Sequence, residues 1–311
     1  MYDFDYLLGH LEDYRAAFER ASKPQIPPFD NDFTDRNLSR FFYKTSLKNH
    51  LSALEAGRIG NFLAEFLADK KIPIRKNDSY IGQANYTPAP LSVGHIEVGT
   101  HMNASVLGHE IRHAWQHLEL SSALLNPRSA QDFILFKRFI EADARAIQFG
   151  VSLQTIHAFR SDNNYAYNLI GCLNRSEKDI CERNVERLEE ICSSPKEIKM
   201  AMRRAFDNWI AVGPAQRVYE DQIRDIISTK DHGSLLQKSF AKLAGNPQFT
   251  EKEMNPDYPQ QLAAALGSLG DKMEGNYLTE TDGPDFNAPF YTRICNYQLE
   301  REVARIALTI K

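Results

Sequence analysis

Two histidines four positions apart, with a glutamate after the first, constrain this chain more than any other feature: His109-Glu110-Ile111-Arg112-His113. On a helix, residues i and i+4 lie one above the other, so both imidazoles can reach a single metal ion while Glu110 projects beside them. The flanking residues support a helix. Val106, Leu107, Ile111, Ala114, Trp115 and Leu118 recur at helical spacing, and Asn103 or Thr100 can cap its start. With 9 histidines in 311 residues, chance places this pattern in about 2 of 100 such chains, so the motif in its helical setting predicts a metal centre.

The spacing also carries a chemistry. Zinc can lower the pKa of water to about 7, and a neighbouring glutamate can take the proton as that water attacks a carbonyl. His109 and His113 are therefore the expected metal ligands, Glu110 the expected general base and Zn2+ the expected cofactor.

Composition narrows the setting. A hydrophobic share of 42% is enough for a large buried core. A formal net charge of −4 does not favour a nucleic-acid partner. The basic run from Lys196 to Arg204 is interrupted by Ile198, Met200, Ala201 and Met202 at helical intervals, as on a solvated helix face. The opening Met1-Tyr-Asp-Phe-Asp-Tyr6 has neither a basic nor an apolar leader region, and no stretch is long and apolar enough for a bilayer, so the expectation is a cytoplasmic protein without a membrane contact. Cys172, Cys181, Cys192 and Cys295 lack paired spacing and read as reduced core thiols.

The expected fold class is α+β, mostly α-helical. Residues 1–71 read as an N-terminal helical segment, with one apolar stripe from Tyr6 to Phe18 and another at Phe62, Leu63, Phe66 and Leu67. Residues 72–160 read as the core. Within it, Ser79–Tyr86 and Val93–Val98 read as two short strands separated by Thr87-Pro-Ala-Pro90, followed by the motif helix, a break at Asn126-Pro127 and a second helix from about Gln131 to Gly150 or beyond. Residues 161–311 read as a helical C-terminal region packed on that core, with helices within 176–227, 258–269 and 292–310.

Strand, short connection and motif helix follow one another as in zincin-type peptidases. His109-Glu-x-x-His113 followed by Glu141-Ala-Asp-Ala144 resembles the gluzincin arrangement, and Gly-His-Glu-Ile-Arg-His-Ala-Trp-Gln116 with Glu141-Ala-Asp-Ala-Arg-Ala146 is most similar to an uncharacterised bacterial metallopeptidase family. The similarity covers about residues 80–150. It implies a zincin-like core and a zinc-dependent hydrolase, with Glu141 as the third ligand from a second helix.

Residue spacing alone leaves the third ligand open. The stripe Phe133, Phe136, Ile140, Ala144, Ile147 and Val151 puts Asp143 about 60° from its centre and Glu141 about 100°, which favours Asp143. The family pattern and the longer reach favour Glu141. Asp143 would then orient a ligand imidazole, and Glu141 with Arg145 also spells an ordinary i,i+4 ion pair. Gln116 and Glu119 stand where a metzincin needs Gly and His, and no cysteine precedes the motif as a deformylase-like site requires. His117 lies about 12 Å along the helix from His109, too far to share one ion; His95 and His101 read as ordinary histidines.

An oxyanion donor is expected among His157, Tyr165, Tyr167 and Tyr219, with none singled out. The expected substrate is a peptide or protein, extended along the strand at Val93–Val98 and cleaved internally. The competing expectation is a zinc-containing interaction or effector protein with very narrow or no proteolytic activity; retention of Glu110 argues against it, because a structural site needs no base.

Overall fold

A computed structural model describes residues 47, 50–81, 83–89, 92–100, 102–127, 129–158, 191–192, 194–211, 255–268 and 275–279. Its elements are helix α1 (Arg58–Asp69), strands β1 (Ile74–Ile81), β2 (Ala84–Ala89) and β3 (Ser92–Thr100), and helices α2 (Ala104–Glu119), α3 (Ser122–Leu125), α4 (Ala130–Ala158), α5 (Pro195–Ala211) and α6 (Tyr258–Leu266). The fold is α+β and mostly helical. The apolar stripe from Tyr6 to Phe18 and the helix expected over 292–310 lie outside the described residues.

The sheet has the order β1-β3-β2, with β1 parallel and β2 antiparallel to the central β3. Three strands form where two are expected, because the strand expected over Ser79–Tyr86 divides between the end of β1 and the start of β2. The additional pairing comes from Ile74-Arg75-Lys76, a charged run without strand alternation, which aligns with Ile96, Glu97 and Val98 of β3. Parallel pairing with a central strand here overrides weak local propensity. β3 itself alternates as a half-buried strand should, with Ile96 and Val98 buried and His95 and Glu97 partly exposed. β2 is an edge strand. Its register with β3 shifts between Thr87 and Ala89, at Pro88, a residue that donates no ladder bond and is tolerated at such a place.

Gly94 has a φ of 73°, and a Cβ there would stand 2.8 Å from the Tyr86 hydroxyl. Only glycine suits both the left-handed backbone and the close approach of the Tyr86 ring from β2. That contact lets Tyr86 donate to the Val93 carbonyl at 2.8 Å and fixes the edge strand where Tyr86 meets Glu110 and His117 of α2.

Helix α2 begins where Asn103 Oδ1 accepts the Val106 amide at 2.9 Å. Its buried face, Leu107, Ile111 and Ala114, joins Leu54, Leu63, Ile96, Val98, Ile147 and Val151 in one core. Each large aliphatic side chain so buried contributes about 1.5–3 kcal/mol relative to exposure. Helix α4 is central rather than amphipathic: α1, α2, α5 and α6 all pack on it, and Ala142, Ala144 and Ala146 are fully buried. The short side chains allow close approach on several sides. At the far end of α4, Gln154 Oε1 accepts the Ile59 amide at 2.9 Å and so caps α1, whose own cap residue, Gly57, has no side chain to do it. No helix among the described residues is long and apolar enough to cross a membrane.

Candidate metal centre

The i,i+4 spacing on α2 stacks His109 and His113 with their rings edge to face, centroids 4.6 Å apart. Their Nε2 atoms stand 3.0 Å from each other. Glu141 of α4 completes the group: Oε1 lies 3.4 Å from His109 Nε2 and Oε2 lies 3.3 Å from His113 Nε2. The three side chains offer ligand atoms that all lie within 4.8 Å of one another, and among the described residues they are the one such group of histidine, cysteine or acidic residues. A tetrahedral ion with bonds of about 2.0–2.2 Å holds its ligand atoms about 3.3–3.5 Å apart, so the group fits a metal with little adjustment. Two imidazoles and one carboxylate suit zinc and other divalent first-row metals alike.

Electrostatics bind the group together. Burial alone would lower the pKa of His113, but the Glu141 carboxylate, with help from Glu110 and Gln116, outweighs it and lifts it to about 9. Burial would raise that of Glu141, and the two histidines hold it well below the ordinary carboxylate range instead. His109 Nδ1 is buried and finds no hydrogen-bond partner among the described residues.

Asp143, two residues further along α4, faces elsewhere. Its oxygens accept four bonds: from Arg112 Nε at 2.7 Å, Arg112 Nη2 at 3.3 Å, Gln116 Nε2 at 2.8 Å and the Tyr277 hydroxyl at 2.7 Å. Arg112 and Asp143 are both completely buried. The Arg112 guanidinium also donates to the carbonyls of Leu266 and Ser268, at the C-terminal end of α6, and lies 3.9 Å over the Trp115 ring. The carboxylate that the stripe geometry favoured is thus engaged with a buried cation, while the one favoured by the family resemblance meets the histidines. The ion pair of Glu141 with Arg145 also forms, at 3.5 Å, with Arg145 much the more exposed partner.

Glu110 Oε2 accepts the main-chain amide of Tyr86 at 2.7 Å, which ties the base-like carboxylate to the outer edge of β2. His117 does not join the metal group; its Nδ1 lies 2.8 Å from the Tyr86 hydroxyl, and burial lowers its pKa. His95 lies 3.7 Å from Glu97 within the same strand. His157 lies in the last turn of α4, and His101, Tyr165, Tyr167 and Tyr219 lie outside the described residues. Gln116 escaped the sequence reading as a site residue, although its place three residues after His113 on the same helix was a signal that could have found it.

Two histidines and a glutamate from two packed helices, with a second glutamate beside them, form the kind of centre that metallopeptidases use. Residues 95–243 match the sequence profile of a family described as "Putative metallopeptidase family (DUF6782)". The matched stretch contains α2 and α4 entire, and it supports a metallopeptidase without distinguishing gluzincins from other types. No curated protein and no solved structure matches the chain.

Proposed function

We propose that the chain is a zinc-dependent peptidase of gluzincin type, built on a zincin-like core and acting in the cytoplasm, with His109, His113 and Glu141 holding the ion. The observation that carries this reading is the convergence of those three side chains from α2 and α4 with Glu110 beside them. Zinc held there would acidify water and polarise the carbonyl under attack. Glu110 is the general base: the Tyr86 amide steers Oε2, and Oε1 takes the proton of the attacking water as the new C–O bond forms. The same carboxyl then passes that proton to the departing amine as the C–N bond breaks.

The substrate is an extended polypeptide cleaved internally. Val93–Val98 does not offer the unpaired edge expected of it, because β3 is paired with β1 on one side and β2 on the other. The outer edge of β2 takes that part. Tyr86 turns its amide away from β3 and onto Glu110, which places this edge beside the base. Specificity would then reside in side-chain pockets along the strand.

The test is zinc content after dialysis in wild type and His113→Ala, followed by a peptide library with blocked and open amino termini. About one zinc per wild-type chain, lost in His113→Ala, together with internal cleavage of both peptide sets, is the expected result. Equal and near-zero zinc in both proteins overturns the assignment. Cleavage only of peptides with an open amino terminus overturns the endopeptidase part.

A further inference from the structure

We propose that Gln116 is a positioning residue for His113, passing on an orientation that Asp143 imposes. The proposal rests on the metal-binding reading of His113 and adds to it a buried relay of hydrogen bonds. Gln116 is buried, and its Nε2 lies 2.8 Å from the Ile140 carbonyl and 2.8 Å from Asp143 Oδ2. Both of those partners only accept, so the amide group facing them must be the NH2. The carbonyl end of the amide is thereby turned toward His113, where Oε1 lies 2.8 Å from Nδ1. A carbonyl oxygen only accepts, so Nδ1 carries a hydrogen and donates it.

The consequence falls on the other ring nitrogen. With the hydrogen held at Nδ1, the neutral imidazole presents the lone pair of Nε2, and it is Nε2 that faces His109 and Glu141. A histidine ligand commonly donates its second ring N–H to a carboxylate or carbonyl, which fixes its tautomer and ring plane. Here the carboxylate acts from one residue further away. Asp143 cannot drift, since Arg112 grips it through two nitrogens and the Tyr277 hydroxyl donates to its other side. Two charges with no exposure thus hold one amide, and the amide holds the imidazole.

Two measurements test this. In zinc-loaded wild type labelled with 15N-histidine, His113 should carry its hydrogen on Nδ1, exchange it slowly with solvent and bind the metal through Nε2. In Gln116→Leu the zinc affinity, read by competition with a chromogenic chelator, should fall about 10- to 100-fold. Thr155→Val removes the buried hydrogen bonds of this hydroxyl to the Val151 and Ala53 carbonyls, near the C-terminal end of α4, and should leave affinity unchanged, which separates orientation of His113 from general loosening. Binding through Nδ1, rapid exchange of the Nδ1 hydrogen, or equal affinity in Gln116→Leu overturns the relay while leaving the metal site standing. Wild type that takes up no zinc removes the metal reading and the relay together. Should Gln116→Leu fail to fold, the spectrum of the wild type decides alone.

Discussion

Glu141 and Asp143 sit two residues apart on one helix, and α2 separates their tasks: the row His109–His113 meets Glu141, while the adjacent row Arg112–Gln116 meets Asp143. Both rows have the same four-residue spacing. One gathers nitrogen and oxygen atoms around a point where a cation fits, and the other supplies its own cation.

Substitution should therefore divide the two carboxylates by what is lost. Glu141→Ala is expected to abolish tight zinc binding while the chain still unfolds cooperatively. Asp143→Asn leaves the buried Arg112 without its counter-charge, so stability should drop by about 3–5 kcal/mol, the usual cost of breaking a buried pair. Zinc titration and chemical denaturation of both variants check this, and a reversed pattern would reassign the third ligand.

Glu110→Gln keeps an oxygen for the Tyr86 amide and removes the proton acceptor. The variant should hold zinc and melt as wild type does, with hydrolysis reduced at least about 10²-fold. Loss of zinc on this substitution would show that Glu110 had been given the wrong role.

Metal-free protein should respond to alkali. The pKa of His113 is raised from its ordinary value of 6.5 to about 9, so its contribution to folding is complete below about pH 6.5 and fades as the pH climbs through about 9. Zinc competes with the same proton, so its apparent affinity should gain roughly tenfold per pH unit over that window. Melting temperatures with and without zinc should consequently diverge as pH rises from 6.5 to 9. A metal-free melting temperature that stays flat across this range would contradict the pairing of His113 with Glu141.

Tyr277→Phe removes one hydrogen bond to Asp143 without altering the ring that packs beside Phe206. Stability should fall by about 0.5–1.5 kcal/mol, with zinc affinity unchanged within about twofold because Arg112 still anchors the carboxylate. Calorimetric melting and the chelator assay on this variant give both numbers, and a large loss of zinc would mean that Asp143 is held mainly by the tyrosine.

The motif half of the site was legible because a helix makes sequence spacing and spatial spacing equivalent over one turn. His109, Glu110 and His113 needed only that rule. The third position was harder, since the angle of a residue from an apolar stripe is informative only when the rest of the helix meets water. Helix α4 is covered on several sides, with Glu141 at 5% and Asp143 at 0% exposure, so the 60° and 100° offsets, although they favour Asp143, do not report which carboxylate faces the histidines. Family similarity, with its implied glutamate on a second helix, pointed instead to Glu141, the carboxylate that stands beside the two histidines. The strand expected over Ser79–Tyr86 is divided between the end of β1 and the start of β2, and the first half of β1 is not legible because its Arg75-Lys76-Asn77-Asp78 run looks like a turn until β3 is beside it. Nothing local announces Tyr277 as a partner of Asp143, because the two are 134 positions apart.

The grip of Arg112 on the end of α6 gives the tail of the described chain a stake in the head. Leu266, Ser268 and Tyr277 all lie beyond the stretch that matches the family profile, yet the carbonyls of the first two and the hydroxyl of the third close around one guanidinium–carboxylate pair. A polypeptide ending at the family boundary would leave that pair facing water from below, and the scaffold behind His113 would lose its floor. The smallest piece able to hold α2 and α4 in register is therefore longer than the stretch that matches the family profile.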